Sequence, residues 1–383
     1  MTASYNKKII VPARIREARI SRGYSLSELA DLVGVSSQAI SQYELGSSQP
    51  KMEVVMKLIQ ILNFPLSFFK KPKPLIDSNV ANSAVYFRSM KTTPKKIKEA
   101  YKLRIEWADE VYSYLNKYVD FPEIDLPDFG DLITEEFDFE TIEEITFKLR
   151  EYWGIGNKPI RNLVEILQEK GFLICRIEFG SRKIDAFSQW YNGRPHIVLG
   201  SGKSAVRSRF DLAHELGHLI MHPNIDNKLI KSKEILTRIE NEANHFAAAL
   251  LLPTNAFEME PISSAVDSLV MIKPKWKVSV SAMIARCKKL HIFSENQIRY
   301  LNQQMTERKW WRWEPYDDEI HFETPYLYKQ AIKLLINNGI CTAEDLLDEF
   351  AHNKEEIDSL CFLPSDLLNK ISKISTLTLK PVH

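Results

Sequence analysis

The chain has 383 residues, 44% hydrophobic and 26% charged, with 51 basic side chains against 50 acidic ones. This length allows two or three domains with sizeable cores. No run approaches the ~18–20 apolar residues that cross a bilayer, and the first residues lack the apolar stretch of a secretion signal. Membrane and secreted classes are therefore excluded at this stage. The four cysteines, Cys175, Cys287, Cys341 and Cys361, are widely spaced and form no C-x-x-C. That spacing argues for a reducing cytoplasm and against both a disulfide framework and a thiolate zinc site.

Charge is unevenly placed. Met1 to Leu75 holds eleven Lys/Arg and five Asp/Glu, a positive surplus that can meet phosphates. Asp120 to Glu144 holds eleven acidic residues and no basic one, the composition of a solvated face or linker.

In chain order, Arg14 to Phe69 reads as five helical stretches. Ser25 caps a short helix, with Glu28 three residues on completing a capping box. Gly34 permits a tight turn, and Ser36 caps the next helix. Leu29, Ala30, Val33, Val35 and Ile40 are placed to knit the two helices together. This is helix-turn-helix patterning. Over the whole module, including Glu44-Leu45-Gly46 and the trailing Pro50, it resembles the lambda-repressor-like (XRE) family. The resemblance implies that Ser36 to Tyr43 enters the major groove of a double-stranded DNA operator. Ser37, Gln38 and Gln42 match its base-reading positions, with Ser41 nearby, and the Gln38 amide suits bidentate bonding to adenine. Ser25 and Ser36 match phosphate-contacting positions, which Ser47, Ser48 and Lys51 extend. Arg19 and Glu44 match a structural ion pair. Family members usually bind as dimers, so a homodimer is implied, although no dimer surface is legible.

Lys70-Lys71-Pro72-Lys73-Pro74 breaks regular structure and marks a boundary. Helices are expected over about 93–117, 142–152 and 159–170. Three β-rich runs follow at 172–177, 186–190 and 196–199, with Asn192-Gly193 as a hairpin turn between the last two.

Next comes Ala213-His214-Glu215-Leu216-Gly217-His218-Leu219, an H-E-x-x-H inside an apolar helical run that Pro223 stops. On a helix, His214 and His218 are one turn apart and face one metal ion, and Glu215 is placed as a general base. Two histidines leave zinc short of a ligand. The metzincin continuation is absent, because Leu219-Ile220-Met221 follows His218. His222 lies one turn further, beyond easy reach of a shared ion. It reads as a supporting or capping residue.

The third ligand is expected on the next helix, 234–252. There Glu242 stands beside a buried stripe of Ala243, Phe246, Ala247 and Leu250, in keeping with a gluzincin set of two His and one Glu. Glu240 is expected in solvent, and His245 is a substitute ligand or an interior histidine. Phe246 stands four residues after Glu242, where thermolysin-like enzymes carry an aspartate that orients a zinc histidine.

From about Asn157 to Pro253 the chain resembles the ImmA/IrrE-like metallopeptidases. Similar regions include Ile184 to Ser188, His196 to Leu199, the H-E-x-x-H helix and E-A-N-x-F-A-x-x-L-L-x-P. The resemblance implies Zn2+ held by His214, His218 and Glu242, with Glu215 as base. It also implies cleavage of a specific cytoplasmic repressor. His196, His222 and His245 are candidates to steady the oxyanion, and the 184–190 strand is a candidate edge for substrate addition.

Residues 277–287 and 294–301 read as two serine-capped helices, a bare hairpin or a second helix-turn-helix-like element. Trp310, Trp311 and Trp313 are taken as core or interface residues.

The fold expected is mainly α with a small antiparallel β-sheet. An XRE-type domain at 1–70 leads through a connecting region at 71–156 to a zinc peptidase core at 157–260. A helical region follows at 261–383, with a bare hairpin or an HTH-like element at 277–304. The function expected is a DNA-binding transcriptional regulator carrying a zinc endopeptidase that cuts a repressor or a toxin–antitoxin partner. The alternative is a transcription factor or antitoxin-like regulator whose second domain binds metal, ligand or partner without proteolysis.

Overall fold

The computed structural model describes residues 10–73, 86–87, 95–177, 185–223, 225 and 232–369; Ile184, where the expected substrate edge begins, lies outside them. The N-terminal module forms the five expected helices, α1 (Pro12–Ser21), α2 (Leu26–Val33), α3 (Ser37–Leu45), α4 (Met52–Leu62) and α5 (Leu66–Lys70). Local chemistry sets their ends. Ser25 and Glu28 make the reciprocal capping box of α2. Gly34 turns the chain at φ +81°, a left-handed conformation that favours glycine. The Ser36 hydroxyl accepts from Ala39 N at 3.1 Å. Leu29, Ala30, Val33 and Ile40 are buried between the helices, and Arg19 clamps Glu44 through Nε at 2.6 Å and a terminal nitrogen at 2.8 Å.

After β1 (Tyr86–Phe87) come α6 (Lys95–Leu115), α7 (Phe139–Tyr152), α8 (Leu163–Glu169), β2 (Leu173–Ile177), β3 (Ala186–Tyr191) and β4 (Arg194–Gly200). Asn192 and Gly193 both take positive φ, 47° and 76°, giving the expected hairpin between β3 and β4. The sheet order is β1-β3-β4-β2. It is mixed rather than wholly antiparallel, because β2 pairs with β4 in parallel, Leu173 opposite His196. Alternation within a strand reports which face is buried, and says nothing about the direction of the neighbouring strand.

The pleat divides two hydrophobic cores. Ile174, Ile197 and Leu199 face α8, α9 (Ala205–Met221) and α10 (Lys233–Leu251). Leu173, Cys175, Phe187 and Val198 face the other way, into a core shared with α6 and the N-terminal module. The chain closes with α11 (Thr254–Phe257), α12 (Val266–Trp276), α13 (Val280–Lys289), α14 (Glu295–Glu307), α15 (Leu327–Asn337), α16 (Ala343–Phe350) and α17 (Lys354–Leu360). The serine caps of α13 and α14 are as expected, on Ser279 and Ser294. Of the three tryptophans, Trp310 packs on the core, whereas Trp311 and Trp313 are about half exposed.

The break in sequence at 70–74 is no break in packing. Fully buried Arg14 donates to Glu17 at 2.8 Å and to both oxygens of Glu110 on α6 at 3.0 Å, and Trp107 Nε1 donates to Glu17. From the far end of the chain, Glu356 on α17 pairs with Arg22 and Arg104, and the buried His352 ring sits 4.7 Å from Trp107 and 5.1 Å from Phe68. The C-terminal helices thus help to seat the first module.

Candidate metal centre and nucleic-acid face

Helix α9 is buried along nearly its whole length and packs closely on α10. A Cβ on Gly217 would lie 3.0 Å from Phe246 Cδ1, so the glycine inside H-E-x-x-H permits the two helices to approach. His214 and His218 are fully buried, with their Nε2 atoms 3.0 Å apart.

The carboxylate that meets them is Glu240. Its oxygens lie 3.5 Å from His214 Nε2 and 3.6 Å from His218 Nε2, and one ligand atom from each of the three residues falls within 4.8 Å of the others. Glu242 instead accepts from Phe137 N at 3.2 Å and lies 2.8 Å from His222 Nε2. The expected set is corrected accordingly: Glu240 replaces Glu242 beside the histidines. The buried stripe could not discriminate between them, because Glu240 and Glu242 flank it on opposite sides, each about 70–90° from its centre. Only the side on which α9 lies decides.

This exchange narrows the departure from the gluzincin pattern to an amide in place of the aspartate. Four residues after Glu240 stands Asn244, whose Oδ1 is 3.1 Å from His214 Nδ1. A Glu-x-x-x-Asn spacing puts both side chains on one side of a helix, and that was the overlooked signal. His218 is held differently. Its Nδ1 lies 3.1 Å from Nδ1 of His222, which caps α9 and leans on Glu242. His222 is therefore the supporting residue expected of it.

Electrostatics follow from burial. Burial holds His218 down at about 4 and His222 likewise at about 4, leaving neutral imidazoles of the kind metals bind. Burial opposes the charge of Glu240, but hydrogen bonding to His214 and His218 overcomes it and brings the carboxyl to about 2. Glu215 is fully buried and accepts from the Ser188 hydroxyl of β3 at 2.6 Å. Trp190, also on β3, donates to Leu219 O at 2.9 Å.

Other candidates fall elsewhere. His196 lies on the opposite face of the sheet, 3.4 Å from Asp109 of α6, which removes it as an oxyanion donor. His245 is 2.7 Å from Glu143, outside the ligand cluster. The edge of β3 offered for substrate addition is paired with β1 at Phe187 and Ser188. The acidic stretch is no free linker either. Glu143 gathers Arg286, His245 and Thr254, and although burial raises its pKa, these partners bring it to about 2. Asp125 pairs with Lys170 at 2.5 Å.

At the other end of the molecule, Ser36, Ser37, Gln38 and Gln42 are exposed along α3, with Ser25 and Ser41 partly so. The hydroxyls of Ser25 and Ser36 cap α2 and α3, the side chains of Ser37, Gln38 and Gln42 face solvent, and Arg19 and Glu44 are spent on each other.

Comparison with known proteins matches residues 15–69 to a helix-turn-helix family and residues 167–288 to the IrrE N-terminal-like domain. The chain is similar to an SPbeta prophage-derived uncharacterized HTH-type transcriptional regulator of Bacillus subtilis, 34% identical over 58 residues, 15% of this chain and 54% of that one. It is similar to a putative HTH-type transcriptional regulatory protein of Pyrococcus abyssi, 26% identical over 165 residues, 43% of this chain and 47% of that one. A putative HTH-type transcriptional regulatory protein of Pyrococcus furiosus is 40% identical over 53 residues, 14% of this chain and 17% of that one. The chain thus spans about half the length of the first two relatives and less of the third. No helix among the described residues is long and apolar enough to cross a membrane. The chain joins a helix-turn-helix domain of the XRE-like family to an IrrE N-terminal-like domain.

Proposed function

We propose that the protein is a cytoplasmic DNA-binding regulator whose IrrE-like domain is a zinc-dependent endopeptidase, acting on a specific partner such as a repressor or a toxin–antitoxin component. The observation that carries this reading is the convergence within 4.8 Å of His214 and His218 of α9, the helix that also supplies Glu215, with Glu240 of α10. The residues suit a divalent ion. Two buried imidazoles face one carboxylate, and the buried Oε1 of Glu240 lies 3.6 Å from His218 Nε2, with no donor within 3.5 Å among the described residues. Zinc bound there supplies Lewis acidity toward a peptide carbonyl.

The chain's own groups do the rest. Asn244 holds His214, and the His222–Glu242 pair holds His218, so that each ligand presents Nε2 in a fixed orientation. Glu215 accepts the proton of the attacking water and returns it to the leaving amine, and Ser188 keeps its carboxylate from turning away. In the first domain, the exposed face of α3 reads bases through Gln38 and Gln42, with Ser37 and Ser41 beside them, while Ser25 and Ser36 meet phosphates.

The test incubates zinc-loaded protein and its Glu215→Gln variant with proteins encoded beside its gene. Wild type is expected to cut one of them and Glu215→Gln to be slower by about 10²–10⁴-fold. Equal cleavage by both, or none, refutes the peptidase reading and favours a regulator that binds its partner without cutting it.

A further inference from the structure

A cavity of about 590 Å³ opens between α9, α10 and α13, bordered by Asn244, which also holds His214. Its lining includes Lys203, Arg207, Arg286 and Lys289 and no carboxylate. Two of these cations are already fixed by acids behind the wall. Arg286 is held by Glu143 at 2.5 and 2.9 Å, and Lys203 by Asp185 at 2.8 Å and Asp211 at 3.0 Å. The other two have no carboxylate partner among the described residues: Arg207 donates to Trp311 O, and Lys289 is exposed at the end of α13. Set against Glu143, Asp185 and Asp211, the four cations leave the cavity electropositive by about one charge, and the cations without a carboxylate among the described residues are Arg207 and Lys289. Phe210, Ala248, Ala282 and Ala285 supply an apolar wall between them.

We infer that this cavity is a specificity pocket for an acidic side chain of the polypeptide that the adjoining centre acts on. A carboxylate is the group that Arg207 and Lys289 leave wanting, and the apolar wall suits the methylenes of a glutamate better than a bare anion. A second cavity, of about 1120 Å³, shares Asn241, His245 and Lys289 with the first and continues along α10 past Glu242. That continuity favours an extended chain over a compact solute. The inference rests on the peptidase reading, whose substrate class it names, yet binding can be measured without cleavage.

Full-length Glu215→Gln protein is titrated with a fluorescein-labelled decapeptide of alternating Glu and Ala and with its Gln–Ala counterpart, by anisotropy at fixed salt. The Glu peptide is expected to bind about tenfold or more tightly. Lys289→Glu, an exposed change that leaves the fold intact, is expected to erase most of that preference, as is Arg207→Ala. Equal binding of the two peptides overturns the proposal, as does a preference that survives Lys289→Glu, which would place the acidic peptide on the basic N-terminal module. Full displacement by millimolar inorganic phosphate overturns it in favour of a small-anion site. Preference without cleavage of any partner would sink the peptidase reading while leaving the pocket standing.

Discussion

The two functional regions are built on opposite plans. In the helix-turn-helix module the residues proposed to read bases are exposed, and neighbours within a few positions set the geometry of their helices: Ser25 with Glu28, Ser36 with Ala39, Gly34 at the turn. In the IrrE-like domain the chemical residues are buried, and groups far away in sequence orient them. Asn244 holds His214 across 30 residues, Ser188 holds Glu215 across 27, and Phe137 N holds Glu242 across 105. A site that reads an external surface can be specified locally. A site that holds two imidazoles and a carboxylate out of water must be enclosed, and enclosure takes several elements.

The sharpest way to break this comparison is to exchange the roles of the two carboxylates. Glu240→Gln is expected to weaken zinc or cobalt binding by more than about 100-fold, whereas Glu242→Gln, which loosens only the support of His218, weakens it by about 10–100-fold. Competition with a chromophoric chelator measures both. A larger loss for Glu242→Gln would restore Glu242 as the third ligand.

Helix contact comes next in size. Gly217→Ala gains ~1 kcal/mol of helix propensity, but drives a methyl against the buried Phe246 ring at an overpacking cost of ~1–3 kcal/mol. Melting temperature is expected to fall. A rise would show that α9 and α10 have room to separate.

At the exposed face, Gln38→Ala should lower discrimination at one operator position by about 1–3 kcal/mol without changing stability. Unchanged sequence preference at fixed salt would remove Gln38 from the reading set.

An effect that shows only in acid concerns the seam between the regions. Burial brings His352 down to about 3, below its unfolded value of about 6.5. A group depressed in this way contributes stability that is fully present above the unfolded value and is lost as pH falls from about 6.5 toward 3. Acid should therefore loosen the packing of the last helices on the first module, and His352→Phe should flatten that part of the stability–pH curve. An unchanged slope would show that other groups govern the seam.

Much of this was legible in the chain. Helix ends were readable because capping is local, and the hairpin because Asn192-Gly193 favours positive φ. His214, Glu215 and His218 share a helix, so their mutual placement follows from the helical repeat alone. What failed was relational. The sheet's mixed direction, the closed edge of β3 and the pairing of Glu143 with Arg286 depend on elements distant in sequence.

Glu240 shows the limit most clearly. By itself the amino-acid sequence determined that two histidines and the glutamate between them lie on one buried helix, and it pointed to a carboxylate on the next. It also determined that a DNA-reading module precedes them. Only the tertiary structure decided which carboxylate, because two glutamates two positions apart project to opposite sides of a stripe. The side that α9 occupies is set by the close contact of Gly217 with Phe246, between residues 29 positions apart.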